Sequence, residues 1–207
     1  MNKTAIKNFA IWVRVQLIES AKQRAFEYEI TENGENSVNI ESIGGRLLSK
    51  DEKEQRGQLI AKIHQKGYTQ VMEEAAYTWF NRFIALRFME VNGYLPSKIR
   101  VFTDENGTFK PDILKQAMSV ELDGLDRKKV LKLLDAQANE ELYKYLLITQ
   151  CNALNAALPE MFEKLGSYTE MLLPNNILKP DSVLGRLVTD IPEEDWKDAV
   201  QIIGWMY

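Results

Sequence analysis

Val71–Asn92, VMEEAAYTWFNRFIALRFMEVN, is the stretch whose reading decides the fold. Val71, Met72, Ala75, Ala76, Trp79, Phe80, Phe83, Ile84, Leu86, Phe88 and Val91 cover more than one face of a helix. A surface helix carries one apolar stripe, whereas a helix apolar over so wide an arc is buried among several neighbours. The spacing therefore predicts a central helix over residues 69–92, stopped by Gly93 with Pro96 just beyond it.

Upstream, Ile6, Phe9, Ala10, Val13, Leu17, Ala21 and Ala25 recur at three- and four-residue steps, which predicts a long amphipathic helix over residues 3–29. Residues 31–49 lose that period and collect Gly, Asn and Ser, so they read as a loop. Ser49 and Glu52 have capping-box spacing and open a second helix that ends near Gly67. Downstream, Ile99–Phe102, the turn Asp104-Glu105-Asn106-Gly107 and Thr108-Phe109 suggest one small hairpin. Further helices are expected from Pro111-Asp112 to about Met118, from an Asp126 cap to about Ala136, and over residues 140–157 behind an Asn139 cap. Tyr168–Leu173, Ser182–Thr189 and Glu193–Met206 read as three shorter helices punctuated by Pro174, Pro180 and Pro192. The expected fold is mainly α: one multi-helix, bundle-like domain over residues 1–207, with at most one short hairpin near residues 99–109.

Composition narrows the class. The chain has 207 residues, 45% of them apolar and 27% charged, enough for a sizeable core. One Cys excludes a disulfide framework and multi-cysteine zinc sites, and suits a reducing cytoplasm. One His removes most histidine-based metal and acid–base chemistry. No run approaches the 18 or so apolar residues that span a bilayer. The formal charge of -4 does not indicate a strongly basic nucleic-acid-binding domain. Residues 1–180 hold 24 basic and 24 acidic side chains, so the excess belongs to residues 181–207. Two basic groupings stand out: Lys3, Lys7, Arg14, Lys22 and Arg24, and Arg127-Lys128-Lys129 with Lys132. Solvated helix faces account for both. The second is a weak DNA-contact candidate, because phosphate contact requires such charges on one surface.

Catalytic signatures are sparse. Gly44-Gly45 has no preceding strand and no partner glycine of the kind that cradles a phosphate. His64 reads as a polar residue near a helix end, and Cys151 as a buried inert thiol. The carboxylate pairs Glu73-Glu74, Glu140-Glu141 and Glu193-Glu194 fall in first turns of helices, where the macrodipole accounts for them.

Two features are unusual. Asn81, Arg82 and Arg87 sit in the most hydrophobic helix, where a guanidinium stays charged and needs carboxylate or carbonyl partners. Arg87 can reach Glu90 at i+3, while Arg82 has no carboxylate at i±3 or i±4. Its partner is an internal ion pair, a neighbouring domain or a nucleic acid. The other feature is the run Val200–Tyr207, apolar to its end, whose Trp205 and Tyr207 suggest an internal seam or a self-associating surface.

These stretches also carry a resemblance. Met1–Ala10, Val71–Asn92, Gln150–Asn155, Leu172-Leu173-Pro174, Asp190–Asp195 and Ile202–Tyr207 resemble, in order, segments of the PglX family. Its members are adenine-specific DNA methyltransferases of bacteriophage-exclusion (BREX) systems and are several times longer. The resemblance implies a parent enzyme that transfers methyl from S-adenosylmethionine to the adenine exocyclic amine. The family's cofactor site needs a glycine turn after a strand, and its catalytic loop carries a Pro-Pro step beside an aromatic ring that stacks on the flipped base. This chain has no Pro-Pro. It therefore reads as an N-terminal helical region with no catalytic, cofactor-binding or metal residue of its own. Implied partners are the remainder of the methyltransferase, DNA through that parent and other BREX proteins, in the cytoplasm and with no membrane. Asn81, Arg82, Arg87, Trp205 and Tyr207 are the candidate inter-domain or partner contacts. A free-standing helical interaction or regulatory protein is the alternative.

Overall fold

The computed structural model describes residues 3–35, 37–159, 161–162 and 168–197. Among them the chain forms helices α1 (Lys3–Glu27), α2 (Lys50–Lys66), α3 (Tyr68–Val91), α4 (Asp112–Lys115), α5 (Arg127–Asp135), α6 (Asn139–Leu154), α7 (Tyr168–Met171), α8 (Val183–Asp190) and α9 (Glu193–Trp196). The only strands among these residues are two residues long each: β1 (Ile30–Thr31), β2 (Gly34–Glu35), β3 (Ser42–Ile43) and β4 (Arg46–Leu47). The mainly helical class is as the periodicity predicts.

The chain divides into two compact units. One is built from the described parts of Arg14–Phe80 and Leu165–Asn175. The other comprises those of Met1–Val13, Asn81–Lys164 and Asn176–Tyr207. The division falls inside α1 and inside α3, so both long helices contribute to each unit.

The first unit is organised around Ala21, Ala25, Leu59, Ile60, Val71, Met72, Met171 and Leu172, all at most 3% exposed. Its capping box forms as the spacing predicts: Glu52 N–H donates to Ser49 Oγ (3.2 Å) and Ser49 N–H to Glu52 Oε2 (2.9 Å). Arg24 Nε donates to Met171 O (3.0 Å), Trp79 Nε1 to Thr169 O (2.9 Å) and Asn175 Nδ2 to Glu27 (2.9 Å), which fixes the α7 segment. The expected loop over residues 31–49 instead holds two antiparallel hairpins, β1–β2 and β3–β4. Gly44 and Gly45, at φ 55° and 81°, form the turn between β3 and β4. Two consecutive positive φ values are what a two-residue hairpin turn demands and glycine supplies.

Arg56, 1% exposed, pins this region from α2. Its Nε donates to Tyr28 O (2.9 Å), and its Nη1 to Ser37 O (2.8 Å) and Val38 O (2.9 Å). A buried guanidinium saturated by carbonyls can hold an irregular segment whose own backbone finds few partners.

The second unit contains α4, α5 and α6, with α6 packed on both of the others. Every residue of α3 from Arg82 to Glu90 is buried, a little over two turns with no exposed face. Asn139 is the first residue of α6 rather than its cap, since Ala138 holds the cap position without a side-chain bond. The predicted helix over Glu193–Met206 is described as α9, Glu193–Trp196, which ends at Lys197 in extended backbone; residues 198–207, with Trp205 and Tyr207, lie outside the described residues. In α8, Ser182 caps by accepting from Gly185 N–H (3.1 Å). A Cβ at Gly185 would stand 2.2 Å from Pro180 O, so only glycine fits there.

The hairpin expected near residues 99–109 does not form. Its turn exists: Gly107 N–H donates to Asp104 O (3.0 Å), and Asp104 Oδ1 accepts from Asn106 and Thr108 N–H (3.0 and 2.9 Å). The flanking backbone is committed elsewhere. Val101 and Phe102 N–H donate to the Glu90 carboxylate, and Asp112 and Ile113 N–H donate to Thr103 O and Arg100 O. Asp104 N–H still donates to Thr108 O across the turn (3.0 Å), but with these groups taken the pairing does not extend into a strand ladder.

Candidate functional site

The densest polar arrangement in the second unit is a buried charge network at the end of α3. Arg87 and Glu90 lie one turn apart on α3, and both side chains are wholly buried. Arg87 Nη1 donates to Glu90 Oε1 at 2.6 Å. Glu90 Oε1 also accepts from Thr103 Oγ1 (2.9 Å), while its Oε2 accepts from Val101 N (2.5 Å) and Phe102 N (2.7 Å). An ionised carboxylate accepts up to about four bonds, and this one is saturated.

Glu193, the first residue of α9, joins from the other side. Its Oε1 stands 2.6 Å from Arg100 Nη1 and 3.3 Å from Arg87 Nη2. Two cations and two anions therefore balance. Burial pushes Glu193 up, but the Arg100 hydrogen bond and the Arg87 charge outweigh it and hold its carboxyl below the ordinary range. Arg100 is held above its ordinary value chiefly by the Glu193 hydrogen bond.

Neutral bonds extend the grip. Asn92 Nδ2 donates to Trp196 O and Phe88 O, each at 2.9 Å, and Trp196 is fully buried. Tyr143 Oη donates to Val101 O (2.8 Å), and burial drives its pKa well up, so the hydroxyl keeps the proton it donates. The network ties α3, residues 100–103, α6 and α9 together.

The remaining sequence candidates fall in three groups. Asn81 is half-buried, with an Oδ1 that is buried and accepts no hydrogen bond, and Arg82 is 3% exposed, inside the fold. Arg87 is the one candidate that the network absorbs. Of the basic cluster, Arg127 spends its guanidinium on the carbonyls of Met118 (2.7 Å) and Val120 (2.5 Å). Lys129 Nζ sits 4.3 Å from the centre of the Tyr145 ring, and Lys128, Lys129 and Lys132 are all exposed on α5. The cluster thus offers three exposed lysines beside a half-buried arginine. His64 Nε2 meets Glu35 Oε1 at 3.0 Å near the end of α2, and Cys151 is buried.

Sequence reasoning found Glu90 as a local partner for Arg87 but missed Arg100, Thr103 and Glu193. Their signal is weak, because sequence separations of 10 to 106 positions carry no helical or strand period. Among the described residues, no group of three or more His, Cys, Asp or Glu could hold a metal ion, and no helix is long and apolar enough to cross a membrane.

The chain matches no protein-family profile. Along its whole length it is 37% identical to an adenine-specific methyltransferase PglX of Lacticaseibacillus casei (strain Zhang), over 235 aligned residues and 19% of that protein. Over 73% of its length it is 39% identical to an adenine-specific methyltransferase BrxX of Escherichia coli O9:H4 (strain HS), covering 13% of that protein. It thus spans less than a fifth of the length of either relative. By sequence, this chain corresponds to a segment of the PglX/BrxX adenine-specific methyltransferases.

Proposed function

We propose that the chain is the N-terminal helical region of a PglX-like, site-specific adenine DNA methyltransferase of a BREX phage-defence system, and that it holds no active site of its own. The observation that carries this reading is the match over 100% of the chain to 19% of a PglX protein. The parent would transfer methyl from S-adenosylmethionine to an adenine amine. The glycines of the described residues support placing that cofactor elsewhere. Their glycine pair Gly44-Gly45 turns from one strand straight back into another, not into a helix whose first amides could meet a ligand. The cofactor would therefore be held by the remainder of the parent.

The role left for this region is mechanical. The Arg87–Glu90–Glu193–Arg100 network, buried at Arg87 and Glu90, fixes α9 against the end of α3, which supports a reading in which the region packs on the methyltransferase core, positions DNA or docks another BREX component. Lys128, Lys129 and Lys132 are the exposed residues of the proposed DNA-contact set with Arg127; Trp205 and Tyr207 remain proposed partner contacts.

The test is complementation. A PglX relative lacking its matching segment is mixed with this chain, and association and adenine methylation are measured. Recovery of methylation on mixing supports the reading. A truncated relative that is fully active alone, with no association, overturns the packing role. Methyl transfer by this chain by itself overturns the absence of an active site.

A further inference from the structure

Gln150, on α6, is 1% exposed, yet its Oε1 accepts no hydrogen bond. A buried acceptor left without a donor is costly and uncommon in folded proteins. Gln150 lines a cavity of about 530 Å³ within the second unit, together with Ser97, Glu121, Leu122, Asp123 and Leu154. That volume lies in the range of small-ligand sites and is many times that of one water. A glutamine amide turns about its last bond at little cost, so the oxygen can meet a donor placed in the cavity.

The charge around the cavity selects the ligand. Arg127 also lines it, but its guanidinium is spent on Met118 O and Val120 O. The amides that open α5 are spent as well, since Lys128 and Lys129 N–H donate to the Asp126 carboxylate at 2.8 and 3.4 Å. Groups that could have received a phosphate are thus occupied. What remains is acceptor chemistry: the Gln150 oxygen within, and the exposed carboxylates of Glu121 and Asp123. Leu122 and Leu154 supply apolar wall between them.

A ligand for this lining needs several N–H donors, positive charge and an apolar stem. A guanidinium meets all three, with five donors in one plane and no acceptor. An ammonium offers a more strongly hydrated point charge, and a phosphate offers only acceptors.

We propose that this cavity binds an alkyl guanidinium, either a free small molecule or an arginine side chain of a protein segment. One N–H meets Gln150 Oε1, the others face Glu121 and Asp123, and the methylenes lie along Leu122 and Leu154. This site is independent of the methyltransferase reading above.

The experiment titrates the isotope-labelled full chain with agmatine, with acetyl-Gly-Arg-Gly-amide, with the lysine counterpart of that peptide and with inorganic phosphate. Shifts of the Gln150 side-chain amide and of Ser97 and Leu122 are followed by NMR. Saturable shifts are expected with a guanidinium probe, weaker ones with lysine and none with phosphate. Gln150→Leu should weaken binding about tenfold or more, the worth of one hydrogen bond to a charged donor. The double variant Glu121→Gln with Asp123→Asn, at exposed positions that do not threaten folding, should weaken it and flatten its salt dependence. Preference for the peptide over agmatine assigns the guanidinium to a protein segment; equal or better binding of agmatine assigns it to a free molecule. The proposal is overturned if no guanidinium probe gives saturable shifts, if phosphate displaces them, or if both variants titrate like the parent. In those cases the amide holds water only.

Discussion

Arg87 Nη1 and Glu90 Oε1 stand 2.6 Å apart with both side chains at 0% exposure. The two do not depend on each other equally. Glu90 has three further donors, in Val101 N, Phe102 N and Thr103 Oγ1, whereas beyond Glu90 Arg87 meets Glu193 Oε1 at the longer distance of 3.3 Å. Breaking a buried pair by removing one partner costs most where the survivor is left without compensation.

Glu90→Ala should therefore destabilise the chain by about 3–5 kcal/mol, because it strands a buried guanidinium and two backbone N–H groups. Arg87→Met should cost clearly less, since Glu90 keeps three donors and Glu193 keeps Arg100. Urea unfolding of the two variants checks the order. Equal losses, or a larger loss in Arg87→Met, would show that the pair and not the Glu90 clamp carries the stability.

Glu52 gives the pH dependence. Burial pushes its carboxyl up, but bonds from Arg46, Ser49 N–H and Tyr28 Oη overcome that and hold it at about 2, against an ordinary 4.5. The folded value lies below the unfolded one, so the contribution is complete above about pH 4.5 and fades as the pH falls toward 2. Unfolding measured across that window should find the wild type more stable than Glu52→Gln at pH 6, with the gap closing on acidification. A gap independent of pH would contradict the assignment.

Ser49→Ala removes the side-chain half of the same capping box. A loss of about 1 kcal/mol is expected, with α2 fraying at its first turn. Thermal unfolding gives the magnitude, and amide exchange at Glu52 gives the location.

Gly185→Ala reverses the usual helix preference. In an open helix alanine gains about 1 kcal/mol over glycine. Here the new methyl would meet Pro180 O at 2.2 Å and Lys179 O at 2.7 Å. Backbone cannot yield as a side-chain tip does, so a net loss of about 1–3 kcal/mol is expected by chemical denaturation. A neutral or stabilising result would mean that the Lys179–Pro180 turn moves away freely.

Much of this protein was legible in local pattern. The α1 stripe of Ile6, Phe9, Val13, Leu17, Ala21 and Ala25 is buried as its period requires, with Ala10 only half-buried at its margin. The Ser49–Glu52 box, the Asp126 and Ser182 caps and the stop at Gly93 all form, because each depends on residues within about one helical turn. The hairpin turn at Gly44-Gly45 had a local signal too, a glycine pair between Ile43 and Arg46.

Only the tertiary structure decided where carboxylates and amides separated in the chain would meet. The turn at Asp104–Gly107 was readable, but whether strands flank it depended on Glu90, which takes the Val101 and Phe102 amides from another element. Glu193 reads locally as an acid in a first turn, and it becomes the bridge between Arg87 and Arg100 only once α9 lies beside α3. Gln150 reads as one polar residue in a helical stripe, and nothing nearby in sequence tells that its oxygen is buried without a donor. Helix periods and caps are short-range and survive in the order of residues; charge partners and cavities are set by burial, which the order of residues alone does not specify.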